Sequence, residues 1–251
     1  MPLLETVNLK RYFGDTRAVD NVSLTIEERE FVSLVGPNGA GKTSFINVVS
    51  ALLRPDSGRI LFMGKDITRT SATQRVRAGI ARSFQLVNVF DDLSSFDNVA
   101  LAIFSRQGKT AHLGALAHRD REVSSEADKI LEQFALAGKR AVIARDLAQG
   151  ERKLLDVALA YALRPKLLFL DEPTSGVSTR EKAPIMDTVT SVVRSTGISA
   201  AIIEHDMDVV FNYSDRIVAM HQGAILADGT PDEIRRNETV TTTLIGTTET
   251  R

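Results

Sequence analysis

The sequence predicts an α/β fold, a mainly parallel sheet with a helical subdomain inserted into it. Three observations carry that prediction. Short, nearly all-apolar runs alternate with stretches of helical spacing, the pattern of strands buried on both faces and joined by helices. One such run, Phe31-Val32-Ser33-Leu34-Val35, stops abruptly at Gly36-Pro37 and is followed by a further glycine-rich turn. The segment from about residue 91 to 162 holds no clear strand and reads as helices.

The elements follow in order. Residues 22–26 alternate as a half-buried strand does. Residues 31–35 form a fully buried parallel strand. Residues 44–53 are an apolar helical stretch ended by Pro55. Residues 59–63 read as a strand closing in the turn Gly64-Lys65-Asp66. Helices are predicted over 96–104, 121–136 and 151–163. In the last, Leu154, Val157, Ala158 and Tyr161 share one face, and Arg164-Pro165 ends it. Residues 167–170, 198–203 and 216–220 are further buried strands separated by helical stretches. Thr230-Pro231-Asp232-Glu233 marks a helix start, with Thr230 as N-cap, Pro231 at the first helical position and Glu233 closing a capping box. The expected organisation is one domain over 1–251, with a core of 1–90 and 163–251 and a helical subdomain of 91–162.

Composition removes several classes of function. Hydrophobic residues at 43% and charged residues at 25% are ordinary for a folded chain of 251 residues, which excludes disorder. The 31 basic residues nearly balance the 32 acidic ones, so no basic field points to nucleic acid. The absence of cysteine excludes a disulfide scaffold, a thiolate metal site and cysteine catalysis. Of the four histidines only His112 and His118 lie near each other in sequence, which argues against a multi-histidine metal site. No run approaches the roughly 18–20 apolar residues of a membrane span. The start, Met1-Pro2-Leu3-Leu4-Glu5, lacks the basic and apolar regions of a secretory signal. The expectation is a peripheral chain that meets a membrane only through a partner.

Gly36-Pro37-Asn38-Gly39-Ala40-Gly41-Lys42-Thr43, followed by Ser44, matches the phosphate-loop pattern. Its glycines let the backbone curl until several amides point at one anion. Lys42 adds charge for the outer phosphates, and Thr43 offers a hydroxyl to Mg²⁺. The loop lies between a buried strand and a helix, as this chemistry requires. A second acid for the metal comes from Leu167-Leu168-Phe169-Leu170-Asp171-Glu172, where a strand delivers Asp171 at its carboxyl end, the ligand edge of an open α/β sheet. Glu172 follows as the group to orient or deprotonate an attacking water.

With these motifs in place the chain resembles the ABC-type ATPases over about residues 5 to 235. The resemblance implies a P-loop NTPase core, an N-terminal antiparallel β subdomain, and ATP with Mg²⁺ as the bound species. It implies that Phe13, or the neighbouring Tyr12, stacks on adenine. It implies that Gln85 touches the metal or the water and senses the transmembrane partner, and that His205 contacts the γ-phosphate. Leu147-Ala148-Gln149-Gly150-Glu151 sits where the family carries Leu-Ser-Gly-Gly-Gln, so Ala148, Gln149 and Gly150 are expected at a partner's nucleotide. The motif Arg77-Ala78-Gly79-Ile80-Ala81-Arg82-Ser83-Phe84-Gln85 and the ending Thr243-Leu244-Ile245-Gly246 are similar to the ATPase subunits of branched-chain and related amino-acid importers; urea and amide importers share that subfamily. Integral permease subunits, a second ATPase subunit and, indirectly, a solute-binding protein are the implied partners, and the cytoplasmic face of the inner membrane is the implied location. A non-transport ABC ATPase and a nucleotide-gated module with little hydrolysis are the alternative readings. Two departures stand out. Ala148 replaces the signature serine and Gln149 its first glycine, while Ser178 stands where the loop after the metal acid normally carries aspartate. Since the groups for the chain's own nucleotide are intact, these departures suggest a heterodimer with unequal sites rather than a homodimer that tolerates Ala148.

Overall fold

The computed structural model describes residues 2–83, 89–109 and 120–245. In chain order they begin with β1 (Leu4–Phe13), β2 (Thr16–Ile26), β3 (Phe31–Val35), α1 (Lys42–Val49), β4 (Ser57–Phe62), β5 (Lys65–Asp66), α2 (Ala72–Ala78) and β6 (Ile80–Arg82). There follow α3 (Ser95–Gln107), α4 (Arg121–Gln133), α5 (Gln149–Ala162), β7 (Leu167–Asp171) and α6 (Thr179–Thr196). Then come β8 (Ser199–Ile203), α7 (Met207–Tyr213), β9 (Arg216–His221), β10 (Ala224–Gly229) and α8 (Pro231–Arg236), followed by short helical turns over Glu238–Val240 and Thr241–Ile245. The chain divides into two compact units, residues 1–75 with 197–251, and residues 76–196.

The first unit holds an antiparallel sheet in the order β2-β1-β4-β5 and a second set of strands in the order β10-β9-β3-β8. β3 runs parallel to both β8 and β9, while β10 returns antiparallel to β9. Every residue of β3 and of β8 is buried, which is why both read as continuous runs rather than alternating ones. β1 lies at the centre of the antiparallel sheet, yet its sequence does not announce it. Its register against β2 shifts between Thr6 and Leu9 and again around Arg11, and Asn8 has φ +48°, so the alternation of period two is broken.

α1 ends at Val49, short of the helix expected to 53. Ala51 turns to φ +63°, and the N–H groups of Leu52 and Leu53 both fold back onto Asn47 O at 2.9 and 3.0 Å. Arg75, 1% exposed, serves the carbonyls at this end. Its guanidinium donates to Val48 O at 2.7 Å, Val49 O at 2.6 Å, Ile67 O at 2.8 Å and Thr68 O at 3.0 Å. Burial pushes this arginine's pKa down to about 10, so it keeps its charge at neutral pH.

The second unit contains the parallel pair β6 and β7 and the helices α3 to α6. Ile80 faces Leu167, Ala81 faces Leu168 and Arg82 faces Phe169. All of β7 is buried. α4 also stops early, at Gln133 rather than 136, because Ala135 takes φ +57° and Leu136 N–H returns to Leu131 O at 2.7 Å. α5 starts two residues earlier than its periodicity indicates, with Ala148 as N-cap. Near its other end, Arg106 donates to Ala162 O at 2.7 Å while clasping both oxygens of Glu126 at 2.8 Å. α8 opens on the predicted capping box: Thr230 Oγ1 accepts from Glu233 N–H at 3.4 Å, and a Glu233 oxygen accepts from Thr230 N–H at 2.8 Å.

Candidate nucleotide site

In the first unit the phosphate loop occupies the turn between β3 and α1. Two glycines leave no room for another residue. A Cβ at Gly36 would sit 2.3 Å from Met220 O, and one at Gly41, φ +102°, would sit 2.2 Å from Ala18 O. Pro37, Asn38 and Gly39 are exposed, whereas Ala40 is buried, its N–H donating to Pro37 O at 3.1 Å. Gly41 is the N-cap of α1 and supplies no side-chain acceptor. The first helical N–H with an intrahelical acceptor is that of Phe45, on Gly41 O at 2.8 Å, so the amides just before it point out of the helix end. Lys42 is 5% exposed, with Nζ donating to Gly36 O at 2.5 Å and Pro37 O at 3.1 Å. The ammonium is thereby stored on the loop it serves. Thr43 is exposed and Ser44 half-buried.

The parallel register brings His205 to the same sheet edge as this loop. Leu34 of β3 pairs with Ile203 of β8, so Gly36 and His205 each lie two residues beyond one rung. His205 is exposed, and its backbone N–H donates to Glu204 Oε2 at 3.1 Å. Of the two candidate aromatics, Tyr12 is fastened: its hydroxyl donates to Asp20 at 2.6 Å, which pushes the phenol pKa up and holds the Asp20 carboxyl below its ordinary range. Phe13 is 46% exposed, with the Arg11 guanidinium 4.7 Å from its ring centroid.

In the second unit Asp171 closes β7 and is 2% exposed. One oxygen, Oδ2, takes the guanidinium of Arg82 at 2.5 Å. The other, Oδ1, is buried and has no hydrogen-bond partner among the described residues. A buried carboxylate oxygen without a donor is a place for a cation, so the carboxyl end of β7 fits Mg²⁺. Glu172 stands at φ +50°, a left-handed conformation rare for a residue with a side chain. Its carbonyl is held from two sides, by Ser175 N–H at 3.1 Å and by the ammonium of Lys153 at 3.2 Å. Lys153, on α5 and 3% exposed, also donates to Ser175 Oγ at 2.9 Å.

The signature region starts α5. Ala148 and Gln149 are exposed and Gly150 is buried; a Cβ at Gly150 would meet Ile185 of α6 at 3.3 Å. Ala148 has no oxygen to return to the helix. Only half of a capping box therefore forms, with Glu151 Oε2 accepting from Ala148 N–H at 3.0 Å. Ser178 has a local partner: its hydroxyl donates to Glu181 at 2.6 Å at the start of α6, which lowers the Glu181 pKa. Gln85, His112 and His118 lie outside the described residues.

A family model described as ABC transporter matches residues 19–175. The chain belongs to the ABC transporter family. As an ABC-type ATPase subunit it is similar along its whole length to proteins of that family. The high-affinity branched-chain amino acid transport ATP-binding protein BraF of Pseudomonas aeruginosa is 34% identical over 98% of both chains. The corresponding LivG protein of Escherichia coli is also 34% identical over 98% of both. Among solved structures, an ATP-binding cassette of an ABC transporter in its ADP conformation superposes with a TM-score of 0.85 at 31% identity, covering 98% of this chain and 99% of that one. A nucleotide-free cassette gives 0.83 at 31% identity, covering 96% and 98%. No helix of the described residues is long and apolar enough to cross a membrane.

Two residues of this ABC cassette escaped the sequence reading. Arg82 lies inside the stretch Arg77 to Gln85, where nothing local marks its role. Lys153 stood inside a helical stretch as one more polar residue. Neither carries a local signal, because each partner is distant in sequence.

Proposed function

We propose that this chain binds and hydrolyses ATP to drive an importer of branched-chain or related amino acids. What supports the reading is end-to-end similarity, at 34% identity, to proteins named for branched-chain amino acid transport. The phosphate loop, Asp171, Glu172, Gln85 and His205 carry the residue types that phosphoryl transfer needs. In this reading Phe13 holds the base, and the amides of 38 to 43, with Lys42 and Ser44, hold the phosphates. Glu172 orients and deprotonates the attacking water, and His205 meets the γ-phosphate. Thr43, Asp171 and Gln85 would hold Mg²⁺, which when bound neutralises charge on the transferring phosphoryl group. Ala148, Gln149 and Gly150 face the nucleotide of a second ATPase subunit, in a heterodimer with unequal sites. The membrane partners are integral permease subunits at the cytoplasmic face of the inner membrane, supplied with solute by a binding protein. Nucleic acid has no part in it. The chain is one ABC ATPase domain throughout.

The test is reconstitution of the chain with its co-purifying membrane subunits in liposomes. ATP-dependent uptake of leucine, isoleucine or valine is expected. Uptake of urea or short amides instead would move the substrate class, and nucleotide binding without phosphate release would reduce the chain to a gated module.

A further inference from the structure

Asp171 is a buried acid with only one oxygen served. Arg82 reaches it from β6, the strand lying parallel to β7, and the two side chains are 8% and 2% exposed. The pair spans 89 residues of sequence. Burying a carboxylate demands a partner for its charge. An arginine fork commonly takes both oxygens of a carboxylate, since its donors match that spacing. Here the contact falls on Oδ2, while Oδ1 is buried with no hydrogen-bond partner among the described residues. The carboxyl group is therefore pinned through one oxygen, and no described residue bonds the other.

We propose that Arg82 is a positioning residue for the metal acid: it fixes the Asp171 carboxylate through Oδ2 and so turns Oδ1 to the coordination shell of Mg²⁺. The inference rests on the reading of Asp171 as a metal ligand. Outer partners of ligating carboxylates set the orientation of the ligand oxygen, and their loss commonly weakens metal binding about 10–100-fold. A point charge on a flexible stem, as lysine would supply, keeps the neutralisation and loses the fixed plane.

The experiment titrates Mn²⁺, read by the electron paramagnetic resonance of the free ion, into the purified full-length chain with saturating ADP. Native chain, Arg82→Met, Arg82→Lys and Asp171→Asn are compared. Expected for Arg82→Met is Mn²⁺ affinity lower by about 10–100-fold, with ADP affinity measured in EDTA unchanged. Arg82→Lys should fall between Arg82→Met and the native chain. In steady-state assays the same variants should show a raised half-saturating Mg²⁺ concentration, with kcat largely recovered at high Mg²⁺. If Arg82→Met does not fold, Arg82→Lys carries the test alone, and a native Mn²⁺ affinity there overturns the proposal. Unchanged Mn²⁺ affinity in Arg82→Met, beside a loss in Asp171→Asn, would make the pair a brace of the fold only. Tighter Mn²⁺ binding in Arg82→Met would make Arg82 a competitor of the metal, which also overturns the positioning role. An Asp171→Asn chain that binds Mn²⁺ normally would remove the metal-acid reading itself, and the inference with it.

Discussion

Helices α1 and α5 both begin without a side-chain cap, yet they offer an anion opposite receptions. α1 follows Gly41, starts on Lys42 and carries no acid in its first turn. α5 follows Ala148 and carries Glu151 in its first turn, where the carboxylate already accepts the Ala148 N–H and pairs with Lys139 at 3.0 Å. A helix N-terminus attracts phosphate through its open amides and dipole. At α1 those amides are left for a ligand and a cation is added. At α5 the chain's own acid occupies part of the same position. The lesson is that the two sites assigned to nucleotide are unequal in their backbone chemistry, beyond the missing serine hydroxyl. The helices also differ at their other ends, where a fully buried arginine serves α1 and a partly exposed one serves α5.

The largest expected effect tests the α1 side. Lys42→Ala should abolish tight nucleotide binding, measured by isothermal titration; native affinity would remove the phosphate-loop reading. Next comes the chemistry between the two helices' roles. Glu172→Gln should leave ATP binding intact and lower turnover at least about 100-fold, the range for loss of a general base. Near-native phosphate release in that variant would place the base elsewhere.

The arginine contrast comes third. Arg75→Met removes a donor from four backbone carbonyls; Val48 O keeps the Ala51 N–H and Ile67 O keeps Thr70, while Val49 O and Thr68 O lose theirs. Each acceptor left open costs about 1–3 kcal/mol, so a loss of at least about 2 kcal/mol in urea unfolding is expected. Arg106→Met opens one carbonyl and leaves the partly buried Glu126 to Arg164 alone, and about 1–2 kcal/mol is expected. Equal losses would show that burial is not what separates the two helix ends.

The smallest effect sharpens the α5 side. Ala148→Ser completes the capping box, adding about 1 kcal/mol of helix-end stability. Combined with Glu151→Gln it should tighten ATP-dependent association with a second ATPase subunit by up to about tenfold, within the range of one hydrogen bond to a charged group. Analytical ultracentrifugation with and without ATP reads this directly. A fully active ATP-dependent homodimer of the chain alone, to which Ala148→Ser adds nothing, would end the unequal-site idea.

Much of the fold and of the candidate site was legible because the informative groups are neighbours in sequence. β3, β7 and β8 are apolar runs that tertiary burial only ratifies. Gly36 through Thr43 state their own loop, since a strand, a set of glycines and a helix start lie within a dozen residues. The α8 capping box is likewise a four-residue statement. The illegible elements are those whose regularity is broken locally. β1 hides behind its bulges and the left-handed Asn8, β6 has only three residues, and α1 and α4 end where Ala51 and Ala135 turn left-handed without a glycine to mark it.

By itself the sequence determined which residue types stand ready for phosphate, metal and water, because short-range geometry around glycine, proline and strand ends needs no distant partner. Only the tertiary structure decided what those residues lean on. Arg82 meets Asp171 because β6 lies beside β7, and Arg75 closes α1 from a helix more than 25 residues on. Lys153 holds the carbonyl of Glu172 from the signature helix. Each is a buried charge that must find its partner within a few ångströms. No rule of spacing along the chain says which strand or helix will bring that partner near.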